Sequence, residues 1–180
     1  MHSLVEMLEA LSSLSRTGWM LRGVPHVLAE TVSDHSFWSA VIGYELGVSA
    51  RRRGVRVNPE RIAVIALLHD AAESVIGDIP KTAGISEAKE EAEARALGSL
   101  PLSPEAKSLV REFMEGETVE ALFARAAEVA ATIVRARVYM GEGFERVGEI
   151  AGNLAEYLRG ITEGMPVLRE VLVEVLGLEL

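Results

Sequence analysis

The sequence predicts an all-α protein, a single globular helical bundle, and three observations support this fold class. Apolar residues recur at helical intervals along most of the chain, and the helix-favouring residues alanine, leucine, glutamate and arginine dominate. The chain has 180 residues, of which 49% are apolar. A chain of this size buries roughly 70% of its unfolded surface in one core. Because the sequence contains no internal repeat and no long linker, we expect one domain over residues 1–180.

Eight helices are expected along the chain. Pro59 suits the first turn of a helix and follows Asn58, which is a favourable capping residue. Gly77 and Pro80 interrupt the helical pattern and predict a loop over 76–85. The C-terminal stretch is very apolar, so it either packs onto the core or forms an interface between copies. The helices are placed near 3–14, 33–53, 59–74, 86–99, 103–114, 117–140, 144–160 and 166–178.

The composition excludes several classes of function. The absence of cysteine excludes disulfides, thiolate metal sites and cysteine nucleophiles. A net charge of −9 argues against a surface that coats nucleic acid. Residues 1–15 lack the basic start and apolar core of a secretory signal, and no apolar run reaches the roughly 20 residues that a membrane span needs. We therefore expect a cytoplasmic protein with no nucleic-acid or membrane partner.

A cluster of polar residues follows the apolar stretch 62–68. This stretch is apolar on every side, so we expect a central, buried helix that leads directly into His69 and Asp70. A histidine and carboxylates at the end of a buried helix are costly unless they are paired, hydrogen-bonded or metal-bound. Glu73 lies three positions after Asp70 and four after His69, so the three side chains can share one helix face.

The residues alone leave two interpretations of this cluster open: pairing within the core, or binding of a divalent metal. Imidazole with carboxylate suits zinc, manganese, iron or cobalt, and a carboxylate-rich site accepts magnesium. Such a metal lowers the pKa of a bound water and offsets charge on a phosphoryl oxygen. Glu73 could then take or deliver a proton, and Gly77 can turn the chain so that Asp78 points back towards the cluster.

A second histidine, His35, could contribute to the same site. Ser33 can cap a helix whose inner stripe would include Phe37, Val41 and Tyr44. His35 then lies in the first turn, at a helix end where a metal or an anion can be reached. The alternative is a capping histidine or a hydrogen-bonded histidine of the core.

Together these segments resemble the HD-domain metal phosphohydrolases, and within them the 5′-deoxynucleotidases that hydrolyse deoxynucleoside monophosphates. The similarity combines an early histidine, a His-Asp pair and an acid on a late helix, and it extends from about residue 12 to residue 145. It implies the helical bundle of the HD-domain type. The matching segments are RTGW at 16–19, RGVP at 22–25, ETVSDHS at 30–36, LLHDAAESVIGDIPK at 67–81 and GISEAKEEAEARAL at 84–97.

The resemblance implies a catalytic centre at five positions. His35, His69 and Asp70 would be ligands of a divalent metal ion, which could be Mn, Co, Mg, Zn or Fe. Glu73 would position or deprotonate the attacking water. Asp78 would assist in protonation or hold the nucleotide.

The resemblance also implies how a nucleotide substrate would be bound. Arg16 would meet the phosphate or nucleotide, and Trp19 would pack against the sugar or base. Together with the apolar C-terminal helix, the resemblance predicts a homodimer. The nucleotide pocket would be lined by Asp78, Ile79, Pro80 and Lys81.

The sequence departs from the family at the last metal ligand. In the family this ligand is an aspartate on a late helix, in a run like DADKLD, some residues before a tyrosine. Counting back from Tyr139 places Glu128 at this position, and the lysine and neighbouring aspartates are absent. Glutamate can bind the same metals, but its extra methylene moves the carboxylate by roughly 1 Å.

We therefore expect a metal-dependent phosphohydrolase that removes phosphate from (deoxy)nucleoside 5′-monophosphates by metal-activated water. A nucleotide with more phosphates, or a cyclic dinucleotide, would suit the same metal site. The alternative, motivated by Glu128, is a metal- or nucleotide-binding HD domain with a degenerate site and a regulatory role. A purely structural helical protein would bind no metal.

Overall fold

The computed structural model describes residues 3–80 and 86–179, and within these ranges the chain is helical without a strand. An isolated bridge joins Ser15 and Thr31. The predicted all-α class is therefore confirmed. The α-helices are α1 (Leu4–Ser13), α2 (Thr17–Met20), α3 (Val32–Arg52), α4 (Pro59–Leu68), α5 (Glu73–Ile76), α6 (Ser86–Ser99), α7 (Pro104–Glu115), α8 (Val119–Gly141), α9 (Gly148–Glu163) and α10 (Pro166–Leu176), with a 3-10 helix at Glu145–Val147.

The sequence suggested Ser33 as the cap of α3, but the structure shows that Thr31 caps this helix. The Thr31 hydroxyl accepts a hydrogen bond from the Asp34 amide at 3.1 Å, and the Asp34 carboxylate accepts one from the Thr31 amide at 3.0 Å. This reciprocal capping box satisfies two amides that the helix itself leaves unpaired. His35 consequently lies in the first turn of α3, as expected.

The stripe of α3 that was predicted to face the core lies on the surface. Phe37, Val41 and Tyr44 are 62%, 48% and 38% exposed, so the prediction that they face the core is wrong. The buried side of the helix includes several small residues besides Ile42 and Leu46, and the small residues allow the neighbouring helix to approach closely. The residues on that side include His35, Ser39, Ile42, Gly43, Leu46 and Gly47.

α4 begins as predicted but ends earlier. Asn58 caps it by accepting a hydrogen bond from the Arg61 amide at 2.9 Å. The predicted helix 59–74 is wrong beyond Leu68, because residues 69–72 form a turn before α5 begins. At this end the His69 imidazole hydrogen-bonds the Ala66 carbonyl, so a side chain satisfies a terminal carbonyl of the helix.

α4 is also buried on one side only. Ile62 and Ile65 are fully buried, whereas Val64 and Leu67 are 40% and 46% exposed. The expectation that this helix is buried on every side is therefore wrong. An apolar residue on the surface is common, because polar residues alone cannot cover a domain of this size.

The core forms around α8, whose central residues are almost all buried. α3 and α4 pack on α8, and α10 packs against α3 through the fully buried Leu168, Val171 and Leu172. The apolar C-terminal helix thus belongs to the core. Among the helices that the structure describes, none is both long enough and apolar enough to cross a membrane. A second cluster links α2 and the loop after it to the C-terminal half of α8 and to the 3-10 helix through Trp19, Val24, Ala29, Ala136, Tyr139 and Val147.

Two glycines set the distance between α3 and α4. A Cβ atom added at Gly43 would lie 2.9 Å from Ile62 Cγ2. One added at Gly47 would lie 2.9 Å from Ile62 Cδ1 and 3.0 Å from Pro59 Cα, which is a backbone atom. The two helices therefore touch at a separation that leaves no room for a side chain at either position.

We expect Gly47→Ala to lower the free energy of unfolding by about 1–3 kcal/mol through overpacking. This loss outweighs the gain of about 1 kcal/mol that alanine brings to a helix. Gly152→Ala on α9, where no atom lies within 4 Å of the new Cβ, is the matched control and should be stabilising. Chemical denaturation measures both variants. Equal stability of the two would contradict the close packing.

Candidate active site

The structure brings His35, His69 and Asp70 together from α3 and from the turn after α4. Within the described ranges they form a group that could hold a metal ion, with one ligand atom of each within 4.8 Å of the others. Asp70 Oδ2 lies 3.1 Å from His69 Nε2 and 3.9 Å from His35 Nε2. Two imidazole nitrogens and one carboxylate oxygen are a donor set that divalent transition metals accept.

The His69 ring is oriented for such a role. Its Nδ1 lies 2.7 Å from the Ala66 carbonyl oxygen. Because a carbonyl only accepts, Nδ1 carries the proton, and in the neutral ring the lone pair is at Nε2, which faces Asp70. Phe113 packs against the ring with the centroids 5.0 Å apart. A backbone contact that fixes the ring and its tautomer is the usual second partner of a metal-binding histidine.

Buried charges surround this group and favour a cation at this position. Burial opposes ionisation of Asp70, but His69 and Arg16 outweigh it and hold the pKa of this carboxyl well below its usual range. Burial likewise opposes the charged form of His69, but Asp70 and then Glu128 raise its pKa above the usual value. The centre thus stabilises added positive charge, which a proton or a metal ion can supply.

Glu128 is buried on α8, and its charge acts on His69. It is not part of the three-residue group in the described chain. Neither Oε atom of Glu128 therefore lies within 4.8 Å of the ligand atoms of all three residues. Its role as a fourth ligand stays a prediction.

Glu73, at the start of α5, is a buried carboxylate that is only half satisfied. Its Oε1 accepts a hydrogen bond from Lys89 Nζ at 3.2 Å, while Oε2 has no hydrogen-bond partner among the residues described. Burial, together with the negative charge of Asp70, raises the pKa of Glu73 to about 8. A carboxyl that titrates near neutral pH is suited to exchange protons during a reaction.

Lys89, on α6, is a site residue that the sequence analysis did not single out. Its ammonium group also donates to the Ile79 carbonyl at 3.0 Å and pairs with Glu93 at 3.4 Å. It therefore ties the Glu73 carboxylate to the segment after α5. In a helix as rich in charge as α6, a lysine is indistinguishable by sequence from a solvent-exposed ion-pair partner.

Arg16 and Asp78 lie beside this centre, on the segments that flank it. Arg16 Nη1 donates to Asp70 Oδ2 at 3.1 Å. The Asp78 carboxylate accepts a hydrogen bond from the Thr17 amide, and its carbonyl accepts one from the Thr17 hydroxyl at 3.0 Å. The segment after α5 is thus joined to the start of α2. Ile79 and Pro80 are partly buried next to Asp78, and Lys81 lies outside the described residues.

Trp19 is placed differently from the other predicted substrate-binding residues. It is only 2% exposed, and its indole Nε1 donates to Glu30 Oε1 at 2.9 Å. Its ring and the ring of Tyr139 pack edge to face, with the centroids 5.3 Å apart. Because so little of its surface is accessible, the structure gives no support to the predicted contact with a sugar or base.

The helical fold and the His-His-Asp group define a class of protein: helical domains with a candidate metal centre next to buried carboxylates. The family model described as "HD domain" matches residues 8–158, so the chain belongs to the HD-domain family. Members of this family are metal-dependent. A solved structure described as a conserved hypothetical protein from Pyrococcus furiosus is similar, with a TM-score of 0.85 and 33% identity over 97% of this chain and 98% of that one.

Two curated relatives have names that include an activity. The chain is 33% identical over 138 residues to 5′-deoxynucleotidase hdd1 of Schizosaccharomyces pombe, an alignment that covers 68% of this chain and 65% of that protein. It is 31% identical over 136 residues to 5′-deoxynucleotidase HDDC2 of Homo sapiens, which covers 72% and 63%. The chain thus spans slightly less than two thirds of the length of each relative.

We expect metal binding to stabilise metal-stripped protein by about 2.7 kcal/mol at a metal concentration 100 times Kd, and therefore to raise its melting temperature. His69→Ala and Asp70→Asn should abolish this increase in thermal unfolding scans with Mn²⁺ or Co²⁺. Glu128→Gln should weaken it. His26→Ala is the control, because His26 hydrogen-bonds Ser15 at 2.8 Å and lies outside the group. A full metal-induced increase in His69→Ala would contradict this site.

Proposed function

We propose that the protein is a metal-dependent phosphohydrolase that removes phosphate from (deoxy)nucleoside 5′-monophosphates. The observation that carries this proposal is the His35–His69–Asp70 group with a buried, half-satisfied carboxylate, Glu73, three residues further along. Arg16, which contacts the same aspartate, supplies a cation suited to phosphate. The names of the two curated relatives support the same substrate class.

The residues present fit a divalent metal ion. His35, His69 and Asp70 would hold it, with Glu128 as the fourth ligand. Manganese, cobalt, zinc and iron suit the two imidazoles, and the carboxylates leave magnesium open. The ion would make a bound water more acidic and would offset negative charge on the phosphoryl oxygens.

Glu73 accepts the proton of the attacking water. Its Oε2 supports this role, since a buried oxygen without a hydrogen-bond partner in the described chain is free to take one. Lys89 holds the other oxygen, which limits the carboxylate to one orientation. A positioned base of this kind contributes about 10²–10⁴-fold to a rate.

Arg16 binds the phosphate, and the segment after α5 lines the nucleotide pocket. Arg16 is adjacent to Thr17, to which Asp78 is hydrogen-bonded, so the two proposed subsites lie side by side. Asp78 assists protonation of the leaving sugar oxygen. The pocket residues are Asp78, Ile79, Pro80 and Lys81.

We expect phosphate release when metal-stripped protein receives manganese, cobalt or magnesium together with a panel of nucleoside and deoxynucleoside 5′-monophosphates. Glu73→Gln should lower kcat by about 10²–10⁴-fold while keeping the metal-induced increase in melting temperature. Glu91→Gln, which removes an exposed carboxylate paired with Arg95, is the control and should keep full activity.

Two outcomes of this panel would contradict the proposal. The first is no phosphate above background with any metal, together with a Glu73→Gln variant that behaves like the parent protein. The second is a parent protein that binds metal without activity, together with a Glu128→Asp variant that is active. The second outcome would support the regulatory domain with a degenerate site.

We also propose that residues 1–180 act as one domain and form a cytoplasmic homodimer. Because α10 is packed into the core, the exposed stripe of α3 formed by Phe37, Val41 and Tyr44 is the better candidate for the interface. Aromatic residues of this kind are enriched where proteins associate.

Phe37→Glu should convert a dimer into a monomer, because the dimer would bury the new charge without a partner. Analytical ultracentrifugation measures the change. Val27→Glu, at the 84% exposed Val27 in the loop after α2, is the matched control and should leave the mass unchanged. A dimer that survives Phe37→Glu would exclude this stripe as the interface.

A further inference from the structure

Glu30 is a buried carboxylate that the roles proposed above do not use. Its side chain is 2% exposed. Oε1 accepts a hydrogen bond from Trp19 Nε1 at 2.9 Å, and Oε2 accepts one from Arg135 Nε at 3.0 Å. The Glu30 amide donates to the Tyr139 hydroxyl at 2.7 Å, and its carbonyl accepts from the Arg16 amide at 3.0 Å. Both its side chain and its backbone are therefore held in place.

The partners of Glu30 are themselves fixed. The Arg135 guanidinium stacks over the ring of Trp38, 4.3 Å from its centroid. The Tyr139 hydroxyl donates to the Leu28 carbonyl at 3.0 Å. The carboxylate of Glu30 is consequently restricted to one orientation by residues of α2, α3 and α8. Such a buried charge is tolerated because its partners compensate it from both sides.

Arg16 connects this network to the candidate metal centre. Its Nε lies 4.0 Å from Glu30 Oε1, and its Nη1 donates to Asp70 Oδ2 at 3.1 Å. The guanidinium thus spans one carboxylate that belongs to the metal centre and one that does not. Since a guanidinium is planar and rigid, holding it at Nε also sets the direction of its two Nη groups.

We propose that Glu30 is a positioning residue that presents Arg16 to the phosphate group of the substrate, and that Trp19 acts through Glu30 and not by packing on the sugar or base. The inference rests on the proposed phosphohydrolase function. Glu30 keeps the Nε side of Arg16 in place, so Nη1, which donates to Asp70, stays directed at the centre where the phosphate would bind. Trp19 donates to Oε1, the same Glu30 oxygen that lies nearest to Arg16 Nε, and so helps to fix the position of that oxygen.

Glu30→Gln should raise the KM for nucleoside monophosphates and the Kd for inorganic phosphate about tenfold, the loss expected when Arg16 no longer makes one charge-assisted hydrogen bond to the phosphate. The effect on kcat should be smaller. Steady-state kinetics and isothermal titration with inorganic phosphate measure the two constants on metal-loaded protein. Glu149→Gln, which removes an exposed carboxylate paired with Arg22 at 2.9 Å, is the control and should change neither constant.

A double-mutant cycle separates positioning from a merely structural role. In an Arg16→Met background, Glu30→Gln should cause no further loss of phosphate affinity, because the group that it positions is already absent. Additive losses of affinity in the double variant would overturn the proposal. So would a Glu30→Gln variant that binds phosphate as tightly as the parent protein.

Trp19→Phe tests the second half of the proposal and remains decisive if Glu30→Gln does not fold. The ring is largely retained while the N–H donor to Glu30 is lost. We expect KM to rise by the same factor for every base and for ribose and deoxyribose alike. A change in the preference among bases or sugars would show that Trp19 contacts the nucleoside and would overturn this assignment.

The outcomes for the two proposals are distinguishable. A parent protein that releases no phosphate with any metal or nucleotide contradicts the proposed function. An active parent protein with an unaffected Glu30→Gln variant contradicts only the positioning role. Titration with inorganic phosphate reports on Arg16 and Glu30 even without turnover.

Discussion

The buried carboxylate of Asp70 holds together segments that are far apart in the chain. It interacts with His69 beside it, with His35 of α3 and with Arg16 from the segment before α2. Taking such a carboxylate out of water is unfavourable unless positive charges and hydrogen-bond donors surround it. Asp70 can therefore remain ionised only while these three partners are in position. The helical fold maintains this arrangement, since α3 and α4 pack directly on each other.

The charges around Asp70 form one connected set and not isolated pairs. Arg16 joins Asp70 to Glu30, and Arg135 compensates Glu30 on its other side. At the opposite end Lys89 compensates Glu73. The charges alternate in sign from Arg135 through Glu30 and Arg16 to Asp70, whereas Asp70 and Glu73 are neighbouring acidic groups, and this proximity helps to raise the pKa of Glu73. Because charges in the interior are poorly screened, a change of charge at any of these positions alters the electrostatic energy of its neighbours.

Much of the fold could be predicted from local signals in the sequence. Helical periodicity, the Asn58 cap and the loop-forming glycines located most of the helices to within a few residues. The orientation of α3 was not predictable in the same way. Its large apolar residues suggested a core-facing stripe, but the contact with α4 requires the space left by Gly43 and Gly47. Sequence patterns report hydrophobicity well but do not show how closely two helices approach.

The candidate site was predictable only in part, for a related reason. His69, Asp70, Glu73 and Asp78 are close in sequence, so their spacing revealed them as a cluster. Glu30 and Arg135 lie 105 positions apart, and no local pattern connects them. Residues that meet only through the tertiary fold become visible when the fold is known. The burial of Trp19 beside Glu30 likewise could not be predicted from the RTGW segment alone.

Gly43 and Gly47 of α3 also affect the geometry of the candidate site. His35 is fixed to α3 and His69 to the end of α4, so the separation of these helices determines how far apart the two imidazoles stand. A metal ion tolerates only a narrow range of such separations, and ions of different size require different ones. If the site binds a metal, its preference among ions would therefore depend on Gly43 and Gly47, two positions that carry no ligand atom and lie about two and three turns along α3 from His35.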